Sequence, residues 1–522
     1  MADTTLAQEM SLANIKKTQK SHLPPTKIKK YLAVSVFFAI FASDLFNYLI
    51  MAREDIIGRK REIALLDSYM ATVRPEFIAL YGRRRIGKTF LVKKLYEESF
   101  DFYVTGIFDK SKKEQLANFN RQLNNYSNSY YPIVDNWFDA FAQLQHYLGT
   151  LKNNQRILVF FDELPWMDTP RSKFIRASEL FWNEWASSQN NIKFIVCGSA
   201  TTWMTSRLLG DKGGLHNRVT RQIKLRPFTL AETEEFLVSI GFRPDRIQTV
   251  EAYMCVGGTP FYLNMFNPMF SVTQNIDELF FSEDAPLQKE FPFLFRSLFN
   301  DSITYRRIVE LLGDKLKGIT RSEIIKSLKL VDNGNLTEIL DNLCQCDFIR
   351  KYSAYGKKQR EMVYQLIDLY SLFYVKYVMN DNSQDTHKWS NMIDSGSRKA
   401  WSGYAFEQVC LLHLPQIKNK LGIDTISTDI CSWQNDKAQI DLVIDRRDRI
   451  INLCEMKFCD KPFSVTKSYL AKMEQRREYF AEATSATKAL HLTMIAPYGI
   501  ANNSQSLKIQ SVINMDDLFK TV

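Results

Sequence analysis

Short apolar runs alternate with amphipathic helical patterns through the first half of the chain. Phe77 to Tyr81 is an apolar run of strand length, and the periodic segment TFLVKKLYEESF behind it is typical of a helix. Two later runs, ILVFF before Asp162 and KFIVCGSA around Ser199, have the same character. Buried strands that alternate with helices predict an α/β fold built on a parallel sheet.

Helical patterns dominate the middle of the chain. Residues 229–298 contain two of them, LAETEEFLVSIGF and RIQTVEAYM. Three further helical segments follow, the second opened by a Thr320–Glu323 capping box and the third expected at Gly334 to Cys346. Two short strands then flank Gly356. Three helices followed by a hairpin is the order of a winged-helix domain.

Strand-like alternation returns near the end of the chain. After a polar segment of linker composition, residues 381–399, an amphipathic helix carries Glu407. Apolar and polar residues then alternate from 440 to 445, as in a half-buried strand, and RRDR predicts a hairpin turn centred near Asp448. About that centre, Asp441 falls opposite Glu455.

Opposed carboxylates give this hairpin a possible chemistry. Asp441 and Glu455 would repel each other across the sheet unless a cation lay between them, and Lys457 shares the face of Glu455. Metal-dependent phosphodiester cleavage uses such a set: the carboxylates hold Mg²⁺ or Mn²⁺, and a lysine positions or activates water. A structural or binding-only domain with the same residues is the open alternative.

Composition narrows the class of protein. A chain of 522 residues is too long for one ordinary core, so three or four domains are expected. The eight cysteines include no CxxC pair and the six histidines no HExxH, which argues against a zinc site and favours a reducing, cytoplasmic location. The net charge of +10 permits an anionic partner such as nucleotide or DNA, although the excess is scattered.

The N-terminal segment does not fit this plan. Its apolar part, Tyr31 to Ala42, is too short to span a bilayer, and Asp44 and Asn47 interrupt its continuation. It also lacks the features of a cleaved signal peptide. We expect residues 1–50 to lie outside the working fold, with a membrane anchor as the less favoured alternative.

A phosphate-binding pattern joins the first apolar run to its helix. Glycines in such a loop turn backbone N–H groups inward around phosphates, and the helix N-terminus adds its dipole. Lys88 would reach the β- and γ-phosphates of ATP, and the Thr89 hydroxyl would ligate Mg²⁺. The expected nucleotide contacts in this stretch are Gly82, Arg83, Arg84, Arg85, Ile86, Gly87, Lys88 and Thr89.

The other two apolar runs supply the second half of a nucleotide site. Asp162, at the end of ILVFF, would hold the Mg²⁺ through water, and Glu163 would polarise the attacking water. Ser199 would sense the γ-phosphate from the neighbouring strand end.

These motifs resemble a known family. IIGRKRE, YGRRRIGKT, FFDELPWM, CGSA, HNRVTRQIKLRPFT and GGTPFYL resemble, in this order, the archaeal-type ATPases of the AAA+ P-loop NTPases, near the STAND branch. The resemblance implies that the turn Ile57–Gly58–Arg59 lies beside the adenine, that Pro260 belongs to a helical lid, and that Arg218 or Arg221 is an arginine finger. A finger acts best from a partner, which implies a homo-oligomer, but Arg218 could equally be a solvated surface charge.

The C-terminal acids resemble a second family. Glu407, Asp441 and the run Glu455–Met456–Lys457 resemble the PD-(D/E)xK nuclease fold, which ends some archaeal-type ATPases as a domain of unknown function. Ile440 stands where the motif has proline, and many such domains are inactive. Gln475 would be an accessory residue or part of the surface.

Together these observations predict an ATP-driven, DNA-associated ATPase with a nuclease-like C-terminal domain. The alternative is an ATP-controlled switch or scaffold that binds a protein partner and cleaves nothing. DNA contact by the winged helix is likewise open against a role as a rigid spacer. The expected divisions are an extension (1–50), an ATPase core (51–228), a helical lid (229–298), a winged helix (299–380), a linker (381–399) and a nuclease-like domain (400–522).

Overall fold

The structure, a computed structural model, describes residues 56–151, 155–210, 215, 217–299, 301–356 and 362–522. Residues 1–50, for which the sequence analysis expects an extension, lie outside these described ranges. Within the described residues, no helix combines the length and apolar character needed to cross a membrane.

A five-stranded, wholly parallel sheet occupies the N-terminal region, with strand order β2-β3-β4-β1-β5. Strands β3 and β4 are buried along their whole length, as the near-continuous apolar runs in their sequences require. The three strands expected from the sequence are therefore confirmed. Their bounds are β1 Glu76–Tyr81, β2 Phe102–Thr105, β3 Ile157–Asp162, β4 Ile192–Gly198 and β5 Arg221–Lys224.

Helices cover this sheet and share an aromatic core with it. Buried rings from residues 77 to 194 pack against one another, with Phe161 and Phe194 meeting edge to face. The helices are α1 Lys60–Met70, α2 Lys88–Tyr96, α3 Lys112–Ser127, α4 Trp137–Gly149, α5 Leu164–Met167, α6 Phe174–Glu184 and α7 Thr201–Trp203.

A helical segment follows the parallel sheet. Its first helix begins with a capping box formed by Thr229 and Glu232. The two helices expected from the sequence are present as the first two of five: α8 Leu230–Ser239, α9 Arg246–Val256, α10 Pro260–Leu263, α11 Val272–Phe280 and α12 Pro286–Leu298.

Three helices and a small antiparallel sheet, here called the middle unit, come next. The Thr320–Glu323 capping box forms as expected, and the sheet order is β6-β8-β7. The elements are α13 Ser302–Asp314, β6 Ile319–Thr320, α14 Arg321–Leu328, α15 Gly334–Gln345, β7 Ile349–Tyr352 and β8 Val363–Leu366.

Residues 381–399 are packed, whereas their composition suggests a linker. Trp389 is buried, and the carboxylate of Asp277 accepts hydrogen bonds from the backbone N–H groups of Trp389 (2.7 Å) and Ser390 (3.1 Å). A buried aromatic ring fixes a short segment that is otherwise polar. The helices here are α16 Leu369–Phe373 and α17 Lys388–Asn391.

The C-terminal region has the order two helices, three strands, one helix, two strands and a short helix, and its strands form a mixed sheet, β13-β12-β11-β10-β9. The β10–β11 hairpin pairs Leu442 with Cys454, the register expected from a turn centred on Asp448. The elements are α18 Gly396–Leu412, α19 Leu414–Lys420, β9 Thr428–Gln434, β10 Gln439–Arg446, β11 Ile450–Met456, α20 Lys467–Thr484, β12 Ala489–Ile495, β13 Ser511–Ile513 and α21 Met515–Leu518. Short 3-10 turns lie at Glu97–Ser99, Ala186–Ser188 and Ser506–Lys508, and π turns at Met204–Leu208 and Tyr374–Val378.

Two hydrophobic cores organise these regions. One lies within the parallel sheet and its helices, between residues 77 and 215. The other has members from Phe228 to Phe519 and joins the helical segment, the middle unit and one face of the C-terminal sheet. The opposite face of the C-terminal sheet packs on α20 as a smaller cluster.

Candidate nucleotide site and C-terminal acid cluster

The loop of residues 82–87 leaves β1 and turns into α2. Gly82 has φ 149°, and a Cβ at this position would lie 2.2 Å from the Leu225 carbonyl oxygen, so no side chain fits. Gly87, with φ 87°, forms the N-cap of α2. Both glycines therefore meet conformational demands of the backbone, and the loop stands at a helix N-terminus, where backbone N–H groups favour anions.

Lys88 and Thr89 begin α2. Lys88 is almost fully buried and its Nζ donates to the Arg83 carbonyl oxygen, 2.9 Å away. The Thr89 hydroxyl donates to the Asp162 carboxylate at 2.9 and 3.0 Å. The structure thus brings the end of β3 against the phosphate-binding loop, as the sequence analysis expects.

The Thr89–Asp162 pair suits Mg²⁺. Burial raises the pKa of Asp162, and the neighbouring Glu163 charge adds to that rise, while the Thr89 hydrogen bond opposes it. A divalent cation would favour the charged carboxylate. Mg²⁺ in nucleotide sites takes one or two protein oxygens and completes its shell with phosphates and water, so these two residues fit the ion.

Glu163 is held from the neighbouring strand. It has φ 47°, and its Oε2 accepts hydrogen bonds from the hydroxyl (2.7 Å) and the backbone N–H (3.2 Å) of Ser199. Ser199 is buried and lies directly after β4. The partner of the Ser199 hydroxyl is therefore the Glu163 side chain, and the γ-phosphate role expected for Ser199 stays a prediction.

A cavity of about 770 Å³ opens beside the loop, lined by Gly58 and Arg59 among others. Arg59 spans its inner wall, donating to the carbonyl oxygens of Ile86 (3.0 Å) and Arg226 (2.6 Å), with its guanidinium 4.4 Å from the Phe228 ring centre. The loop residue Ile86 thus contributes its carbonyl to this wall. Gly58 and Arg59, which the resemblance places beside the adenine, both line this cavity, and the adenine role stays a prediction.

The loop arginines lie differently from the expected phosphate contacts. Arg83 is buried in an ion pair with Asp368 and also donates to the Thr259 hydroxyl at 2.7 Å, beside Pro260, the first residue of α10. Both partners lie far along the chain, which is why local sequence reasoning missed them.

Arg85 is also neutralised by an acid. Its Nε lies 2.7 Å from Glu290 Oε1, and its guanidinium lies 3.9 Å from the centre of the Phe261 ring. Burial raises the pKa of Glu290, and the charges of Arg85 and of the half-buried Arg84 oppose that rise. Two of the three loop arginines therefore tie the loop to the rest of the chain, because buried guanidinium groups need carboxylate partners.

The two arginine-finger candidates lie at the other end of the sheet. Arg221 begins β5, with Nε 3.3 Å from Glu76 Oε2, and Glu76 begins β1. The length of β1 separates this pair from the chain's own loop by roughly 16 Å. Arg218 is exposed. Either residue would need a neighbouring subunit to reach phosphate, and Arg221 would first have to leave Glu76.

The C-terminal residues singled out by the sequence form what is here called the acid cluster: Glu407, Asp441, Glu455 and Lys457. The observed register of β10 and β11 places Asp441 opposite Glu455, and the pairing of β10 with β9 is irregular between residues 440 and 443. Burial and the nearby Asp441 charge raise the pKa of Glu407 to about 8, against the opposing charge of Lys457. The charges of the other three cluster residues therefore all act on Glu407.

Glu455 is surrounded by donors. Its carboxylate accepts from the Tyr469 hydroxyl at 2.7 Å and Arg476 Nη1 at 2.6 Å, and Lys457 Nζ lies 3.0 Å away. Tyr469 and Arg476 were missed; their seven-residue spacing on α20 places them on one helix face. Gln475 instead donates to the Tyr479 hydroxyl on the exposed surface.

A metal site is not formed by these groups as they stand. Across the described residues, no group of three or more His, Cys, Asp or Glu side chains is arranged to hold a metal ion. Asp441 is engaged by the side-chain amide of Gln439, and Glu455 by two cations. The metal-ligand roles of Asp441 and Glu455 therefore stay predictions.

Comparison with known proteins bears on the N-terminal half. Residues 56–266 match the family described as an ATPase domain predominantly from Archaea. This region is an archaeal-type ATPase domain. An uncharacterised protein of Methanocaldococcus jannaschii is 26% identical over 427 residues, which cover 79% of this chain and 90% of the relative.

Solved structures resemble this chain at lower sequence identity. A Walker-type ATPase of Pyrococcus abyssi is 16% identical with a TM-score of 0.43, covering 62% of this chain and 97% of that protein. Cdc6p of Pyrobaculum aerophilum is 15% identical with a TM-score of 0.29, covering 61% and 92%.

Proposed function

We propose that this protein is an ATP-hydrolysing machine whose archaeal-type ATPase domain controls a DNA-associated, nuclease-like C-terminal domain. The carrying observation is the order α18, β9, β10, β11, α20, β12 within the C-terminal region, with Glu407 on α18, Asp441 and Glu455 on the β10–β11 hairpin, and Lys457 directly after β11. This is the element order of the PD-(D/E)xK fold, and the charges converge as that chemistry needs.

The ATPase activity follows from the loop geometry. Lys88 would bind the β- and γ-phosphates, and Thr89 with Asp162 would hold Mg²⁺, which neutralises the charge that develops on the phosphates. Glu163 would accept the proton of the attacking water, and Ser199 keeps its carboxylate in place. Arg218 would complete the site of a neighbouring copy.

DNA association is supported less by the middle unit than by the net charge of +10. The middle unit has the winged-helix order of elements, but its third helix, α15, exposes Asn335, Glu338 and Asp341. An acidic face repels a DNA backbone. The hairpin that would form the wing is docked, because the Tyr355 N–H donates to the Ser432 carbonyl oxygen at 2.7 Å. We therefore place the middle unit as a spacer and expect DNA at the C-terminal domain.

The test is DNA cleavage by the full chain in Mg²⁺ or Mn²⁺, with and without ATP, on single- and double-stranded substrates. Asp441→Asn should abolish cleavage, since this carboxylate faces the cluster. Asp445→Asn is the matched control: Asp445 lies on the same strand but pairs with Lys488, away from the cluster. Equal cleavage by the parent and Asp441→Asn would mean contamination and would overturn the nuclease assignment.

A second function is favoured by one observation. Arg476 and Lys457 already neutralise Glu455, so the cluster is internally balanced and could serve structure alone. The protein would then be an ATP-controlled switch or scaffold for a protein partner. ATP hydrolysis without any DNA cleavage, unchanged by Asp441→Asn, is the result that this function requires.

A further inference from the structure

The phosphate-binding loop is connected to the acid cluster through a series of polar contacts, and the first of these is made by Arg83. Its guanidinium donates to the Asp368 carboxylate and to Thr259, and both ion-pair partners are almost fully buried. Asp368 is also the N-cap of α16, where its second oxygen accepts from the Ser371 N–H at 3.0 Å. A buried pair of this kind holds its geometry, since leaving either charge alone is costly.

Lys88 links this pair to nucleotide. The backbone carbonyl of Arg83 accepts a hydrogen bond from Lys88 Nζ at 2.9 Å. Phosphates bound in the loop compete for the same ammonium group, because Lys88 is the side chain that must reach them. Binding of ATP therefore changes the backbone contacts of Arg83, whose side chain pairs with Asp368.

Asp368 is attached to the middle unit by its backbone. The N–H groups of Ile367 and Asp368 donate to the Phe348 carbonyl oxygen at 2.9 and 3.2 Å, directly before β7. Asp368 itself follows β8 by two residues. A displacement of Asp368 thus displaces the paired strands β7 and β8, which a ladder of hydrogen bonds holds together.

The far side of the middle unit contacts the acid cluster. Lys317 donates to the side chain of Gln439, whose amide in turn donates to the Asp441 carboxylate. The Tyr404 hydroxyl, one helical turn before Glu407, donates to the Leu316 carbonyl oxygen at 2.9 Å. The positive charge of Lys317 also opposes the rise in the pKa of Glu407 that burial causes. The middle unit therefore places a cation and a hydrogen-bonded turn against the cluster.

We propose that the Arg83–Asp368 ion pair couples nucleotide binding in the loop to the position of the middle unit over the acid cluster. The inference rests on the proposed function, whose C-terminal activity it would regulate. Arg83 acts as a coupling residue and Lys317 as its counterpart at the cluster. The device explains why arginine stands at this place in the loop: the side chain faces the rest of the chain, not the phosphates.

The test is hydrogen–deuterium exchange of the full chain, which needs no cleavage activity. With Mg²⁺ and adenosine 5′-(γ-thio)triphosphate, exchange in residues 315–318 and 439–456 should change about fivefold or more, the lower range of usual coupling. No change in the parent, with the nucleotide shown to bind, would overturn the proposal. A change in the parent without any DNA cleavage would keep the coupling and remove only the nuclease.

Variants isolate the ion pair. Arg83→Met combined with Asp368→Asn leaves no unpaired buried charge and should erase the nucleotide effect at 439–456. The matched control is Lys224→Met combined with Asp347→Asn, which removes a second ion pair between β5 and the middle unit (2.8 Å) without touching the loop. Its nucleotide effect should match the parent. A parental effect in the Arg83–Asp368 variant would overturn the proposal.

A second variant, at the acid-cluster end of these contacts, keeps the test decisive if the Arg83–Asp368 double variant does not fold. Lys317→Ala leaves the loop and its ion pair intact, and Lys317 is solvent-accessible. Nucleotide should still alter exchange around Asp368, while the effect on 439–456 falls at least several-fold. An undiminished effect there would mean that the signal does not pass through the middle unit.

Discussion

The two charged sites of this protein place the same groups in opposite electrostatic situations. In the nucleotide site, Asp162 pairs with a neutral hydroxyl and Lys88 with a backbone carbonyl, so acid and base are kept apart. In the acid cluster, Glu455 is bound directly by Lys457 and Arg476. The first site offers a separate place to a phosphate and to a cation. The second has neutralised much of its own charge.

The largest expected effect tests the open character of the nucleotide site. Lys88→Ala should lower ATP hydrolysis about 10²- to 10³-fold or more, because it removes the cation aimed at the phosphates. The measurement is phosphate release at saturating ATP together with nucleotide binding. Lys93→Ala, on the same helix but paired with Glu97 on the surface, should keep the parental rate. Comparable losses in both variants would contradict the assignment.

A somewhat smaller effect separates binding from chemistry in that site. Glu163→Gln should retain nucleotide binding but lower the rate of hydrolysis about 10²-fold or more, since the amide cannot accept a proton. Ser199→Ala should lower kcat less, because Glu163 keeps its carboxylate and loses only its anchor. A Ser199→Ala variant that loses nucleotide affinity with unchanged kcat would show that Ser199 acts on the nucleotide instead.

The acid cluster should respond in the opposite direction. Arg476→Ala removes one cation from Glu455 and should tighten Mn²⁺ binding about tenfold, as measured by calorimetry in the absence of nucleotide. Arg477→Ala is the control, because Arg477 has no contact with Glu455 among the described ion pairs. Unchanged Mn²⁺ affinity in Arg476→Ala would show that the cluster is not a masked metal site. The two sites would then differ in function, the acid cluster being structural.

The smallest expected effect concerns His413, which connects the C-terminal region to the helical segment. His413 is buried, accepts from the Leu230 N–H at 2.9 Å, and contacts the Val409 carbonyl oxygen. Burial lowers the pKa of His413 to about 4. The unfolded chain therefore binds a proton that the folded chain refuses between pH 6.5 and 4. Its stabilising contribution is complete above pH 6.5 and is lost as pH falls towards 4.

As pH falls from 6.5 to 5, His413 should lower the free energy of unfolding by about 2 kcal/mol. Denaturant unfolding of the parent and of His413→Gln measures it, with the exposed His146→Gln as control. Equal pH slopes in all three would assign acid instability to the carboxylates of the two sites.

Much of the nucleotide site could be predicted from sequence because its signals are local. Gly82, Lys88 and Thr89 lie within one loop, and the strands ending at Asp162 and Ser199 show uninterrupted apolar runs. The β10–β11 register followed from alternation and a turn, which again are local properties.

The partners of charged side chains were not predictable. Asp368 lies 285 residues from Arg83, and composition gives no sign that the two meet. The same holds for Trp389, whose burial against Asp277 depends on helices more than a hundred residues earlier. Long-range pairing of charges decided where the loop arginines point and how Glu455 is neutralised.

The separation of the two large hydrophobic cores determines where the chain can be divided. The helical segment, the middle unit and one face of the C-terminal sheet share one apolar core, whereas the parallel sheet has its own. Proteolysis or truncation near residue 380 would cut through the second core and expose it to solvent. A break between Lys224 and Phe228 would fall between the two cores and leave both undivided. Arg83 and Arg85 pair with Asp368 and Glu290 on the other side of this boundary, so the phosphate-binding loop is attached to both cores.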